Sequence, residues 1–276
     1  GESGMADPGS KTAMRRHAVM GILLLFVFLA PVILLFIQSF AGIWTWPSLI
    51  PASWSTRSWE VLGGQIRPLI SSIMTSLGYS AAATLLSLIL CFAPAAALIR
   101  GGLPNRTLTE TLLMAPVMVP PITFTLGIHH IFLRMGLADR WLGVVLILTA
   151  YSYPYMLRAL MGGFEAMGDS YVITAANLGA GRWRRIWQVE LPLLIPAVVS
   201  GGSVVFLVAF SDYYLVFLVG GGAISGYSGY LFPFLTSSDR PVAALLTLIF
   251  LALPLLLFGF VELTVARWYR RRGMGE

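Results

Sequence analysis

One carboxylate in this sequence sits where charge is costly. Asp212, in FSDYYLVF, lies about nineteen residues into an apolar run. Leaving it unpaired in hydrocarbon costs at least about 2.5–3.5 kcal/mol on insertion scales, so it must be hydrated, paired or hydrogen-bonded. Ser211, Tyr213 and Tyr214 surround it with hydroxyls. Such a group can line a hydrated path or gate for a solute, with Tyr213 or Tyr214 helping to close it. It can equally bond a neighbouring helix and hold a bundle together. A second stretch with chemistry is the polar, Arg-bearing island at 171–196, YVITAANLGAGRWRRIWQVELPLLIP, between two apolar segments. Residues 171–178 contain few breakers and predict a short helix, ended by Gly179 and Gly181 because glycine tolerates the left-handed backbone past a helix terminus. Ala175, Ala176, Gly179 and Ala180 leave one side of that helix low enough for another protein to pack closely.

Other chemistries are missing. The only lysine is Lys11, so there is no G-x-x-x-x-G-K-[ST] phosphate loop, and the Gly run at 220–229 reads as a flexible external loop. There is no G-x-S-x-G and no H-E-x-x-H. The pair His129–His130 points about 100° apart on a helix and makes no facing metal clamp. Cys91 is alone, which excludes an internal disulfide and a cysteine metal site. Glu110 and Glu262 lie near span ends and read as solvated or ion-paired. No catalytic residue and no metal ligand is expected.

The elements that must position these residues are membrane spans. Of 276 residues 57% are hydrophobic and 11% charged, with mean hydropathy +0.82, against about 25% charged in soluble domains. The fold class expected is all-α and polytopic, with six transmembrane helices at about 19–40, 69–99, 108–133, 141–160, 193–219 and 242–266. Pro116, Pro120 and Pro121 should kink the third span, which is tolerable only where protein or water covers the freed carbonyls, so that span should face the interior. Trp44, Trp46, Trp54 and Trp59, between the first two spans, suit a membrane–water interface. Residues 1–18 read as an N-terminal tail that begins with an appended remnant, Met5 being the native start. Residues 19–270 read as one transmembrane domain, and 271–276 as a basic tail. The first apolar run is too long for a signal-peptide core, so it reads as a retained span.

The net charge of +6 does not point to nucleic acid, because the arginines are scattered in short loops between spans. With the N-terminus inside, thirteen of the 18 basic residues fall on the cytoplasmic side, and Arg57, Arg67, Arg134, Arg140 and Arg240 fall outside. Both termini and the 171–192 loop are therefore expected in the cytoplasm.

The 171–192 loop resembles the EAA loop of the membrane subunit of binding-protein-dependent (type I) ABC importers. Gly179 is followed by nine residues, then Val189, Glu190 and Leu191–Pro192; the Ala-Ala pair falls on Thr174 and Ala175, and the leading Glu on Ile173. The resemblance covers roughly 65–270. It implies a six-span permease in a bacterial inner membrane that forms the path for a small solute. It implies a coupling helix between the fourth and fifth spans, with Thr174, Ala175, Leu178, Gly179, Ala180, Arg182, Leu191 and Pro192 at the ATPase contact. The implied partners are two ATPase subunits, which bind the ATP and Mg, a second permease subunit, identical or paralogous, and an external solute-binding protein. FSDYY and the proline-rich third span are closest to permeases for polyamines, thiamine, phosphonates or ferric iron. The alternative is a stand-alone secondary transporter or channel, against which stand the few intramembrane charges and the lack of an inverted repeat. A membrane-embedded enzyme would need clustered acids, bases or metal ligands, which are missing.

Overall fold

The computed structural model describes residues 8–45, 47–101 and 105–271. The parts of the expected tails at 1–7 and 272–276, and Trp46, lie outside the described residues. No strand occurs among the described residues beyond an isolated bridge between Ala41 and Trp54. The helices are α1 (Pro8–Ser39), α2 (Arg57–Gly64), α3 (Ile66–Ile99), α4 (Arg106–Met118), α5 (Pro121–Arg134), α6 (Trp141–Met167), α7 (Ser170–Asn177), α8 (Arg182–Arg185), α9 (Leu191–Ser211), α10 (Tyr213–Gly220), α11 (Tyr227–Thr236) and α12 (Arg240–Arg271). A π turn, Ile186–Glu190, joins α8 to α9. Among the described residues five helical stretches are long and apolar enough to cross a membrane, and the bent pair α4–α5 would supply a sixth.

The chain divides into two compact units. One comprises the residues up to Gln65 together with Phe234–Leu251. Within it the turn after α1 closes on itself: Gly42 N–H donates to Ser53 O at 2.8 Å and Ser55 N–H to Phe40 O at 2.9 Å. Phe40 stacks on Trp59 at 5.3 Å, and Arg57 grips Asp239 through two hydrogen bonds of 2.8 and 3.2 Å. Trp54 and Trp59 are exposed, as interfacial anchors would be. Among the described residues, 8–18 are helical and continuous with the rest of α1.

The other unit, Ile66–Pro233 with Ala252 onward, holds the main core. It is built on α3, α6 and α9. Tyr79, Ala83, Val144, Ile147, Leu148, Ala209, Leu215 and Val219 form one buried cluster, and Cys91, Leu98, Met156, Leu160, Phe164, Leu194 and Val205 another. Glycines let α6 and α9 approach closely. A Cβ on Gly163 would stand 2.6 Å from Ala197 Cβ, and one on Gly201 2.7 Å from Ala159 Cβ. Small residues at the crossing are the usual device in lipid, where no hydrophobic force drives helices together.

Three expectations change. The third span is not merely kinked: α4 and α5 meet at 97°. Val119 is extended, and Pro120 and Pro121, which have no N–H to give, force the break while Pro121 opens the next helix. The pair is partly enclosed: α4 buries no residue fully and α5 only Thr125, while Phe124, Ile128 and Phe132 pack on the first cluster and Leu113 and Met114 on the second. The fifth span breaks at Asp212 into α9 and α10. The segment after the 220–222 glycines carries α11, whose Tyr227, Ser228 and Leu231 are buried, so the aromatic run there is packed and not a flexible loop.

Candidate functional site

The loop between α6 and α9 begins with a stop. Gly168 caps α6 at φ +65°, and two residues later α7 starts. Helix α7 ends as the glycine pattern predicts. Gly179 takes φ +81°, its N–H donates to Ala176 O at 2.9 Å, and Ala180 N–H reaches Ala175 O at 3.0 Å. That crossed pair is the Schellman arrangement, and it satisfies carbonyls the helix end would leave open. Gly181 is extended and leads into α8. Leu191 N–H then donates to Ile186 O, five residues back, which makes the π turn. Pro192 directly follows this π turn, at the start of α9.

The outer surface of this segment carries large apolar side chains among arginines and other polar residues. Leu178 is 83% exposed and Trp183 75%; Tyr171, Ile173 and Trp187 are exposed as well. Thr174 is exposed, while Ala175 and Ala180 are partly buried. Of the expected contact residues, Thr174, Leu178, Gly179 and Arg182 thus lie on the open surface, and Leu191 and Pro192 at the root of α9 do not.

Sequence reasoning missed what ties the segment down. Arg100, just past the end of α3, donates from Nε to Asp169 Oδ1 at 3.2 Å and from both Nη atoms to Glu190 Oε2 at 3.3 Å. Its guanidinium also sits 5.1 Å from the Phe164 ring centre. Asp169 precedes α7, and Glu190, only 4% exposed, closes the π turn. One side chain thereby links the foot of α3 to both ends of the loop. Beside this link opens a cavity of about 530 Å³, lined by Arg100, Arg182, Arg185 and the apolar side of α3 at Phe92 and Ala96.

At the other end of α9, Asp212 has an extended backbone and its Oδ1 accepts the Leu215 N–H at 2.8 Å. It is the N-cap of α10, with its backbone N–H still bonded to Val208 O. Ser228 Oγ donates to its carbonyl at 3.4 Å. Ser211 Oγ turns back to Leu207 O at 2.7 Å. Tyr213 stacks on Phe232 at 4.2 Å, whereas Tyr214 is 48% exposed. The four consecutive residues named from sequence thus lie at a helix break, with Asp212 partly exposed. Ser-Asp before an apolar run is a helix-start signature, so the break was readable.

A second charged pair joins α6 to α4. Arg158 Nη1 reaches Glu110 Oε1 at 3.5 Å. Glu110 is thus ion-paired, as one of its two expected readings had it. Glu262 is exposed. His129 is partly buried and His130 exposed, and among the described residues no three His, Cys, Asp or Glu gather to hold a metal.

A family model described as "Binding-protein-dependent transport system inner membrane component" matches residues 104–272. The "Molybdenum transport system permease protein ModB" of Mycobacterium tuberculosis is 32% identical over 156 residues, which is 52% of this chain and 59% of that protein. The "Sulfate transport system permease protein CysT" of Escherichia coli is 28% identical over 63% of this chain and 68% of its own length. The "Putative 2-aminoethylphosphonate transport system permease protein PhnU" of Salmonella typhimurium is 24% identical over 75% and 76%. The matched region spans 59% of the length of the mycobacterial molybdenum permeases. Among solved structures, that of a bacterial ABC transporter involved in the import of the acidic polysaccharide alginate superposes with a TM-score of 0.72 at 16% identity, over 94% of this chain and 99% of that one. At that identity the likeness is one of fold.

Proposed function

This chain belongs to the family of binding-protein-dependent transport system inner membrane components, and we propose that it is the permease subunit of an ATP-driven importer. It is a multi-pass inner-membrane protein. It would form the path for a small solute delivered by an external binding protein, beside a second permease subunit. ATP and Mg would be bound by two separate ATPase subunits. The relatives' names speak of molybdenum, sulfate and a phosphonate, so the solute class we propose is an oxyanion.

The observation that carries this reading is the exposed apolar surface of the 170–192 segment, mounted on the spans by Arg100. Tyr171, Ile173, Leu178 and Trp183 have nothing to gain from water, and a partner that covers them would move α3 and α9 with α7. The ATPase would dock there, against Thr174, Ala175, Leu178, Gly179, Ala180 and Arg182. With Ile173 where the resembling motif has Glu, the contact at that position is apolar and not an ion pair. Both termini and this segment would face the cytoplasm, and the α10–α11 end the binding protein. Alternation between inward-open and outward-open states would be a rigid-body switch driven from the ATPase.

The test is reconstitution. The chain, co-expressed with an ATPase subunit and a binding protein, should co-purify with the ATPase and show ATP-dependent uptake of molybdate or sulfate that requires the binding protein. Uptake without any ATPase would refute the reading and support a stand-alone transporter.

A further inference from the structure

Arg158 is out of place for a loop arginine. Helix α6 runs on to Met167, well beyond the expected end at 160, and Arg158 lies nine residues before that end. The 27-residue helix is about 40 Å long, against about 30 Å of hydrocarbon, so a helix centred in the bilayer would overhang by roughly 5 Å at each end and hold Arg158 about 8 Å inside. Arg67 in the first turn of α3, Arg106 at the start of α4, Arg134 at the end of α5 and Arg240 at the start of α12 stand at helix ends, whereas Arg158 does not. The Arg158 side chain is also 74% exposed in the chain by itself. A guanidinium at that depth cannot face lipid tails without a penalty of several kcal/mol. Its face of α6 is therefore turned to water or to another protein surface.

The surroundings favour a solute. Arg158 lines a cavity of about 480 Å³ with Met114, Val117, Pro154, Tyr155, Ser200 and Gly201. Tyr155 and Ser200 bring hydroxyls to an otherwise apolar wall. Gly201 keeps that wall close to α6, since a Cβ there would meet Ala159 Cβ at 2.7 Å. The resident counter-ion is held loosely. Glu110 makes one contact, Nη1 to Oε1 at 3.5 Å, at the limit of a hydrogen bond. A guanidinium has five N–H donors in a planar fork that suits oxyanions two at a time. Most of that fork is unused among the described residues.

We propose that Arg158 is an anion-binding site within the translocation path, taking a tetrahedral oxyanion such as sulfate or molybdate. Glu110 holds the guanidinium when the path is empty and gives way when the anion arrives. A loose counter-ion serves transit better than a tight one, because the solute must leave again. This inference rests on the oxyanion reading above.

The experiment uses the complex of permease, ATPase and binding protein in proteoliposomes, with sulfate and molybdate as probes. Wild type should take up at least one. Arg158→Gln should lower uptake by about tenfold or more, the loss that one charge-assisted hydrogen bond implies, while loaded binding protein still stimulates ATP hydrolysis. Arg158→Lys should keep part of the uptake, and Glu110→Gln should keep most of it. Full uptake by Arg158→Gln overturns the inference and leaves the oxyanion reading standing. So does restored uptake in the charge swap Glu110→Arg with Arg158→Glu, or loss of complex assembly in both Arg158→Gln and Arg158→Lys, because either makes the pair a strut within or between subunits. If wild type takes up neither probe and a cation instead, the oxyanion reading falls and the inference with it.

Discussion

Arg100 and Glu190, ninety residues apart in sequence, share a two-donor contact in which both Nη atoms reach one carboxylate oxygen at 3.3 Å. Glu190 is 4% exposed, so its charge is compensated by Arg100 or by nothing else among the described residues. The third donor of the same guanidinium holds Asp169, so α7 cannot shift without pulling on both α3 and α9.

Arg100→Ala should therefore uncouple the loop from the spans. Removing one partner of an enclosed ion pair costs about 3–5 kcal/mol, and with the Arg100 side chain 29% exposed the loss should fall at the low end. The ATPase should still co-purify, while uptake driven by the binding protein falls. Uptake equal to wild type would show that the contact transmits nothing.

Gly179 separates backbone from surface effects. A Cβ at this position would have nothing within 4 Å, so Gly179→Ala meets only the left-handed φ of +81°, a cost of about 1–2 kcal/mol. Thermal melting of the purified subunit should register that loss. Gly179→Arg should in addition abolish uptake while the chain still inserts, because a long charged side chain would stand on the proposed ATPase face. Normal uptake by the arginine variant would remove α7 from the contact.

At Asp212 the two substitutions should diverge. Asparagine can still accept the Leu215 N–H, so Asp212→Asn should fold and assemble. Asp212→Ala loses the cap and about 1 kcal/mol. If the carboxylate also meets the solute, Asp212→Asn should change the rate or selectivity of uptake. Unchanged kinetics in a stable Asn variant would reduce Asp212 to its capping role.

Topology has a direct readout. Single cysteines in place of Ser225 and Arg184, in a Cys91→Ala background, should react with an impermeant thiol reagent from opposite sides of the membrane. Cys91 is buried, with Sγ 3.4 Å from Tyr153 O, so its removal should be tolerated. Labelling of both sites from one side would refute the crossing between them.

The spans were legible because a bilayer demands long apolar runs and leaves few alternatives. The end of α7 was legible because only glycine takes a φ of +81° cheaply. What escaped was the size of the bends. Adjacent prolines announce a break but not its 97°, which depends on what each half packs against. Arg158 escaped because a hydropathy window ends a span at a charge, whereas the helix runs on for nine more residues. The Arg100 contact joins residues too distant in sequence for any spacing rule to pair.

The π turn at Ile186–Glu190 sets an angle as well as a length. It accommodates one residue more than an α-helix would over the same rise. Each residue of an α-helix advances about 100° around its axis. Excising one residue from this turn would therefore rotate α9 by about that amount relative to α8. Gly201 would no longer meet Ala159, and Glu190 would swing away from Arg100. The nine-residue interval between Gly179 and Val189 acts as an index mark for the screw of the fifth span, and a single-residue deletion there should be far more damaging than any one side-chain change within it.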